Sequence, residues 1–268
     1  MAQLRGSILF TGSIGNVRAF YDKKLKRYIL ATKGGASKED IMNSPNFART
    51  RENMNEFKAC GMSVSQIRKS LLCLSHLFYG QYCAEIVKLI KSIQLHDEAH
   101  PRGYRSIETS KTPELLTTLN FNRNHPFDRV LTASPLITLS ADKQTITMTL
   151  PNFHSYTRLH LPYQCSSYRF VLVIAQLPDF EWSEEEGSYH PVLPDMEQLS
   201  VRTNSDWFAC NSEPIDISME ATFAQPALQQ PGTTVLVAMG IETSSNMLHP
   251  NDSNISSQGT MKIVECFV

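Results

Sequence analysis

The sequence predicts an α+β protein, with an amino-terminal β-ribbon and about three helices followed by an immunoglobulin-like β-sandwich of about seven strands. Apolar residues follow a helical period before residue 100, and short runs of alternating apolar and polar residues follow residue 113. Residues 1–112 contain 18 Lys/Arg and 9 Asp/Glu, whereas residues 113–268 contain 7 and 17. We therefore expect two domains, a basic β-ribbon and helical domain over 1–112 and an acidic β-sandwich domain over 113–268, joined near residues 101–113.

A β-ribbon is expected over residues 7–33. The apolar run at residues 8–10 precedes a glycine-rich turn at residues 12–15, apolar and polar residues alternate over residues 16–21, and a basic turn follows at residues 22–27. A lone two-stranded ribbon is marginally stable in water. We therefore expect this one to pack on helices or to pair with another chain.

Three helices are expected after the ribbon. Asn43, Ser44 and Pro45 form a start signal for the first, which we expect to end at Gly61. Ser63 followed by Gln66 has the pattern of a capping box and predicts the start of the second helix. Its apolar stripe is Val64, Ile67, Leu71, Leu74 and Phe78, and a third helix is expected beyond Gly80.

The remainder of the chain predicts strands. Residues 136–139 and 146–150 form an expected hairpin, and the nearly continuous apolar run at residues 168–177 predicts a central strand. The other expected strands are residues 197–202, 215–223, 233–241 and 262–268. Short strands separated by turn signals are typical of a β-sandwich.

The bulk composition is that of an ordinary globular protein, with 41% hydrophobic and 19% charged residues. No stretch approaches the ~20 apolar residues of a membrane-spanning helix, and the amino terminus lacks the ~7–15-residue apolar core of a signal peptide. We expect a cytoplasmic protein, or one incorporated into an assembled particle, with no membrane partner. The six cysteines include no CxxC pair and are expected to act as small buried apolar side chains.

Candidate metal and phosphate sites are weak. His96 and His100 have the i, i+4 spacing of zinc ligands, but His100 precedes Pro101 and no third ligand follows at a recognisable interval. The glycine-rich turn at residues 12–15 leads into a strand-like pattern rather than a phosphate-binding helix. We expect no catalytic residues, no metal and no cofactor, and therefore no enzyme.

Two oppositely charged segments are the candidate interaction sites. The basic set in the ribbon is Arg18, Tyr21, Lys23, Lys24, Lys26, Arg27, Tyr28 and Lys33. The acidic set, expected in one loop, is Asp179, Glu181, Trp182, Glu184, Glu185 and Glu186. Lysines interleaved with tyrosines also suit nucleic-acid phosphates, and Trp182 with Trp207 could stack on a sugar. Contact with protein is the favoured interpretation.

The glycine-rich ribbon, together with Gly34-Gly35 and the stretch at residues 49–57, resembles small uncharacterised proteins of Bacteroidota bacteria. Those proteins begin with a glycine-rich ribbon and a short helical region, and their larger forms add a β-rich part. The resemblance covers residues 7–60 best and implies no activity.

The sequence thus predicts a non-enzymatic structural or interaction protein that self-assembles or docks on another protein, in a phage-like or filamentous particle. The unsupported ribbon, the opposed charges and the lack of a catalytic set motivate this prediction. The alternatives are a nucleic-acid-associated protein that binds through the basic segment and a glycan-binding sandwich module.

Overall fold

A computed structural model describes most of the chain in two units, Met1–Arg51 and Glu52–Val268. The described residues are 2–3, 10–32, 34–80, 82–161, 165–193, 200–210, 213–227, 231–245 and 258–268. None of the helices among them is both long and apolar enough to cross a membrane.

The first unit contains a four-stranded antiparallel sheet in the order β1-β4-β3-β2. Its strands are β1 (Ala2–Gln3), β2 (Gly12–Ile14), β3 (Val17–Asp22) and β4 (Arg27–Thr32). A helix, α1 (Lys38–Asn43), follows, and Ser37 and Asp40 form a capping box at its start. The residues of the expected ribbon, 7–33, contain three of these strands, β2 to β4, and β1 adds the fourth.

The second helix, α2 (Ala48–Ser70), is one continuous helix of 23 residues. The predictions that a helix ends at Gly61 and that Ser63 caps a new one were wrong. Glycine costs about 1 kcal/mol in a helix interior, and burial of the Ala59, Val64 and Ile67 side chains outweighs this cost. A 3₁₀ helix (Leu72–Leu77) and α3 (Tyr82–Gln94) complete the main helical part.

The segment expected to be a linker is part of the core. Ile107 is fully buried and exchanges two backbone hydrogen bonds with Phe180, at 2.8 and 3.0 Å. Short 3₁₀ helices follow at Thr109–Lys111 and Pro113–Thr118, and a single-turn helix, α4, lies at Phe127–Val130. The change of charge near residue 112 therefore falls inside the second unit, because the flanking helices and strands share one core.

The second unit holds three antiparallel sheets. Its strands are β5 (Leu136–Leu139), β6 (Thr145–Phe153), β7 (Ser167–Pro178), β8 (Phe180–Ser183), β9 (Ser188–Pro191), β10 (Ser200–Asn204), β11 (Phe208–Ala209), β12 (Ile215–Thr222), β13 (Thr233–Ser244) and β14 (Gln258–Phe267), with a single-turn helix, α5, at Ser155–Arg158. The largest sheet has the order β10-β7-β13-β14, with β11 also paired to β7. The others are β12-β6-β5 and the hairpin β8-β9.

The central strands β7 and β13 are buried on both faces, which explains why their sequences are almost continuously apolar. One face, with Val171, Val173 and Leu236, shares a core with α2, α3 and the 3₁₀ helices. The other face, with Phe170 and Leu172, shares a core with β6 and β12. Helices therefore cover one face of the central sheet and a second sheet covers the other. The predicted α+β class is confirmed, with several open sheets.

Candidate interaction surfaces

The β3–β4 hairpin carries seven of the eight residues of the predicted basic set, four of them cations at its turn. Asp22 Oδ1 accepts hydrogen bonds from the backbone N–H groups of Lys24 (2.8 Å) and Leu25 (3.0 Å), which fixes the turn. Lys26 closes it in the left-handed region, at a φ of 48°. The cations exposed around this turn are Lys23, Lys24, Lys26 and Arg27.

Aromatic pairs stabilise the same hairpin next to its turn. Tyr21 lies opposite Tyr28 in the strand register, with ring centroids 5.1 Å apart, and the Arg18 guanidinium lies 5.8 Å from the Phe20 ring. The Tyr21–Tyr28 pair is a cross-strand contact of the kind that stabilises a hairpin by about 0.2–1 kcal/mol, whereas Arg18 and Phe20 both lie on β3. Lys33 lies outside the described residues.

The charge of this turn is not balanced locally. No ion pair between described residues involves any of its four exposed cations. Over the whole first unit, residues 1–51 contain 10 Lys/Arg and 3 Asp/Glu. The hairpin therefore presents a positive tip to its surroundings.

The predicted acidic loop is the β8–β9 hairpin. Its exposed carboxylates are Glu181, Glu184, Glu185 and Glu186. Among the described residues, the ion-pair contact that these carboxylates make joins Glu186 Oε2 to His190 Nε2 at 2.9 Å. Trp182 is half-buried, with its ring centroid 4.9 Å from that of Tyr104 and 5.2 Å from that of Tyr189, so it anchors the hairpin by packing.

Asp179 belongs to the predicted acidic set by sequence but is buried. Its carboxylate accepts hydrogen bonds from the Thr109 hydroxyl (3.0 Å), the Ser110 backbone N–H (3.0 Å) and the Ser110 hydroxyl. These donors hold the segment after Ile107 against the start of β8. The Asp179 carboxylate is therefore used inside the protein and does not face a partner.

The histidine pair lies beyond the end of α3. His96 and His100 are exposed, whereas Asp97 between them is 6% exposed. Asp97 Oδ2 accepts the Ser106 N–H at 2.7 Å and contacts His100 Nδ1 at 2.8 Å. Burial would raise the pKa of Asp97, but the hydrogen bonds from Ser106 and His100 outweigh it and lower that pKa. Asp97 thus organises the chain leaving the helix.

Among the described residues, no group of three or more His, Cys, Asp and Glu side chains could hold one metal ion. Trp207, the second tryptophan of the predicted sugar platform, lies with its ring centroid 4.6 Å from the Arg169 guanidinium. The ring contacts of Trp182 are instead with Tyr104 and Tyr189.

A buried ionic cluster around Glu242 of β13 is the strongest polar feature that the sequence reasoning missed. The Glu242 carboxylate, 3% exposed, contacts Arg169 Nη2 (2.6 Å), Arg202 Nη2 (2.9 Å) and His76 Nε2 (2.7 Å). Burial would raise its pKa, but hydrogen bonds from His76 and Arg169 and the charge of Arg202 lower it to about 2. The cluster joins three strands of the central sheet to the 3₁₀ helix that carries His76.

A sequence signal for this cluster does exist. Arg169 and Glu242 interrupt the two most apolar runs of the chain, in β7 and β13, and they face each other in the strand register. Charged residues are almost never fully buried unless they are paired. One charge of each sign within two buried strands therefore indicates an internal ion pair.

A second buried carboxylate, Glu56 of α2, joins the two long helices. It pairs with Lys91 Nζ of α3 and accepts the Gly103 N–H at 2.9 Å. Burial would raise the pKa of Glu56, but these two donors lower it. Gly103 has a φ of 97°, and a Cβ there would lie 2.9 Å from Glu52 Cγ, so the close approach requires glycine.

No protein-family model, curated protein or solved structure matches this chain. The functional argument therefore rests on the geometry of the two hairpins and the buried clusters.

Proposed function

We propose that this chain is a non-enzymatic structural protein that assembles with further copies of itself, its basic β3–β4 hairpin docking on the acidic β8–β9 hairpin of another copy. A phage-like or filamentous particle is the kind of assembly that such a contact would build. We propose no catalytic role for this chain.

The observation that carries this proposal is the small buried content of the first unit. In the first unit, among the residues whose side chains the structure describes, only two are buried, Ala19 and Ile29. Ile14 is 65% exposed and Leu25 is 52% exposed. A sheet that buries so little apolar surface gains little stability of its own, so burial against a partner would stabilise it.

Charge complementarity supports a second copy as that partner. The β3–β4 turn presents four exposed cations that form no ion pair with another described residue, and the β8–β9 hairpin of every copy presents four exposed glutamates. Opposite charges on two exposed tips increase the rate of encounter and fix which surfaces meet. The same chain therefore supplies both halves of the contact.

We propose that each copy offers its two hairpins to two different neighbours, which makes the contact heterologous. A heterologous contact produces a ring when the rotation closes and an open filament when it does not. This property favours a particle-forming protein over a simple symmetric dimer.

We also propose that the two stacked sheets form an immunoglobulin-like sandwich. It is supported by the shared core of β6, β7, β12 and β13. In this role the sandwich is a rigid body that carries the acidic hairpin.

Light scattering over a range of protein concentrations tests the proposal. We expect oligomers at ~0.1 M salt that dissociate at ~1 M salt, because the screening length falls from ~10 Å to ~3 Å. A strict monomer at high protein concentration and low salt would refute the proposal.

Charge-reversed variants identify the contact. We expect K23E/K24E/K26E/R27E to be monomeric and E181K/E184K/E185K/E186K to behave in the same way, while an equimolar mixture of the two associates again. The matched control K58E/K69E/K88E/R158E reverses four exposed cations elsewhere and should assemble as the natural chain does. If the control loses assembly equally, net charge and not the hairpin is responsible.

Fluorescence anisotropy with a single-stranded oligonucleotide tests the alternative. Binding that depends on Lys23, Lys24, Lys26 and Arg27, with no salt-sensitive self-association, would replace the proposed function with nucleic-acid binding.

A further inference from the structure

Cys165 and Cys210 lie side by side at one end of the central sheet. Their Sγ atoms are 2.6 Å apart, within about 0.6 Å of the ~2.05 Å length of an S–S bond. All six cysteines are free in this structure, and no other two have their sulfur atoms in such contact.

The backbone determines this proximity. Strand β11 pairs with the start of β7, where Ala209 lies opposite Ser167, and the Cys210 N–H continues the ladder by donating to the Ser166 carbonyl at 3.1 Å. The Cys210 carbonyl accepts the Ser155 hydroxyl at 2.8 Å, and the Ser166 N–H donates to the Ser244 carbonyl at 2.9 Å. Four separate segments thus hold the two cysteines in place.

Both side chains are half-buried, so a small reagent can reach them. Among the described residues, the Ser155 hydroxyl and the Ser166 carbonyl form hydrogen bonds with the Cys210 backbone. Cys60, in contrast, is fully buried, and its thiol contacts the Gln94 amide oxygen at 3.4 Å.

We propose that Cys165 and Cys210 are a redox-active pair that forms an intramolecular disulfide by exchange with a low-molecular-weight disulfide such as oxidised glutathione. The Cys210 thiolate attacks one sulfur of the small disulfide, whose S–S bond breaks and releases one thiolate. The Cys165 thiolate then attacks Cys210 Sγ in the mixed disulfide and releases the second small thiolate. Two protein thiols are oxidised, one small disulfide is reduced to two thiols, and the two cysteine protons pass to those thiols or to water.

The hydrogen bond between the two sulfurs is consistent with this order of steps. It lowers the pKa of the Cys210 thiol and raises the pKa of the Cys165 thiol, which is the result expected where a thiol at Cys165 donates to a thiolate at Cys210. Cys210 is therefore the attacking residue and Cys165 the resolving one.

The bond would close a loop between residues 45 positions apart. This loop contains strands β7 to β11, including the acidic hairpin β8–β9. A cross-link that closes such a loop restricts the unfolded chain, so oxidation should raise the stability of the second unit. The inference does not rest on the proposed assembly.

The test treats the reduced, folded chain with oxidised glutathione and then counts free thiols by alkylation under denaturing conditions. We expect four labelled cysteines instead of six, a proteolytic fragment in which Cys165 is linked to Cys210, and a higher urea midpoint than for the reduced protein. Reduction should restore all six labels and the original midpoint.

Single-cysteine variants separate the role of the attacking cysteine from that of the resolving cysteine. C165S should retain glutathione on Cys210 as a trapped mixed disulfide, and neither C165S nor C210S should show the rise in the urea midpoint. The matched control C83S removes another half-buried cysteine and should still form the bond, with three labels instead of five. Six labels on the natural chain after treatment, glutathione on both cysteines without a link, or a link to any other cysteine would overturn the proposal.

Discussion

Replacement of Glu242 by glutamine tests the buried ionic cluster, because it removes the charge and preserves the size of the side chain. Two arginines and His76 surround the carboxylate, so the change removes the buried negative charge that Arg169, Arg202 and His76 contact. Removing one partner of a buried ion pair typically destabilises a protein by about 3–5 kcal/mol. We expect a loss within that range.

The low pKa of Glu242 gives a second value for the stabilisation that its charge provides to the folded state. It lies at about 2 in the folded protein and ordinarily at 4.5. At ~1.4 kcal/mol for each pH unit, the ionised carboxylate stabilises the folded state by about 3 kcal/mol. Because the folded-state pKa is the lower one, this stabilisation is complete above pH 4.5 and is lost as the pH falls toward 2.

Urea unfolding followed by tryptophan fluorescence provides the assay, at pH 5 and at pH 3. This window lies below the ~6.5 at which histidine ordinarily titrates, so the carboxyl group dominates the difference. We expect E242Q to cost about 3 kcal/mol at pH 5 and roughly half as much at pH 3. The control E220Q changes an exposed glutamate of β12 and should stay within about 0.5 kcal/mol of the natural chain. A cost below about 1 kcal/mol at pH 5, or an equal cost at both pH values, would refute the reasoning.

Three further outcomes follow from the packing. Gly240→Ala should destabilise the protein by about 1–3 kcal/mol in thermal denaturation, because a Cβ would lie 2.9 Å from Leu77 Cδ1. In contrast, Gly61→Ala should stabilise it by up to about 1 kcal/mol, because the new Cβ meets nothing within 4 Å and Gly61 lies in a helix interior. Asp97→Asn should cost about 1–3 kcal/mol by urea unfolding, because the Ser106 N–H loses a charged acceptor, and an unchanged midpoint would contradict this role. Trypsin should cut first at residues 23–27 and spare residues 101–113; early cleavage in that second segment, detected by mass spectrometry, would show that it is not packed in the core.

The strands were the more predictable part of the fold. The apolar run over residues 168–177 corresponds to β7, which spans Ser167–Pro178, because a strand buried on both faces has to be apolar at every position. The sequence could not show that α2 continues through Gly61, since the residues that offset the cost of glycine lie far along the chain. For the same reason it missed Ile107, whose partner Phe180 lies more than 70 positions away.

The candidate sites were predictable as charge patterns but not as contacts. The basic hairpin follows from local sequence, because hairpin turns are local structures, whereas the acidic set was expected in a loop and lies on the β8–β9 hairpin. The proximity of Cys165 to Cys210 does not, because it depends on β11 pairing with the start of β7 across an intervening hairpin and strand. Strand pairing between distant segments is the information that a single sequence lacks.

Four carboxylates that count toward the net charge are buried and bound inside the protein. Asp179, Glu242, Glu56 and Asp97 all accept hydrogen bonds within the second unit, and each joins segments that are distant or differently folded. Their charges are neutralised locally or shared with backbone donors, so they contribute little to the field outside the protein. Two of them, Asp179 and Glu242, belong to residues 113–268, so the acidity that this segment offers to a partner is smaller than its residue total indicates. It follows that reversing the four exposed glutamates should abolish salt-sensitive assembly, while the buried carboxylates should influence assembly only through stability.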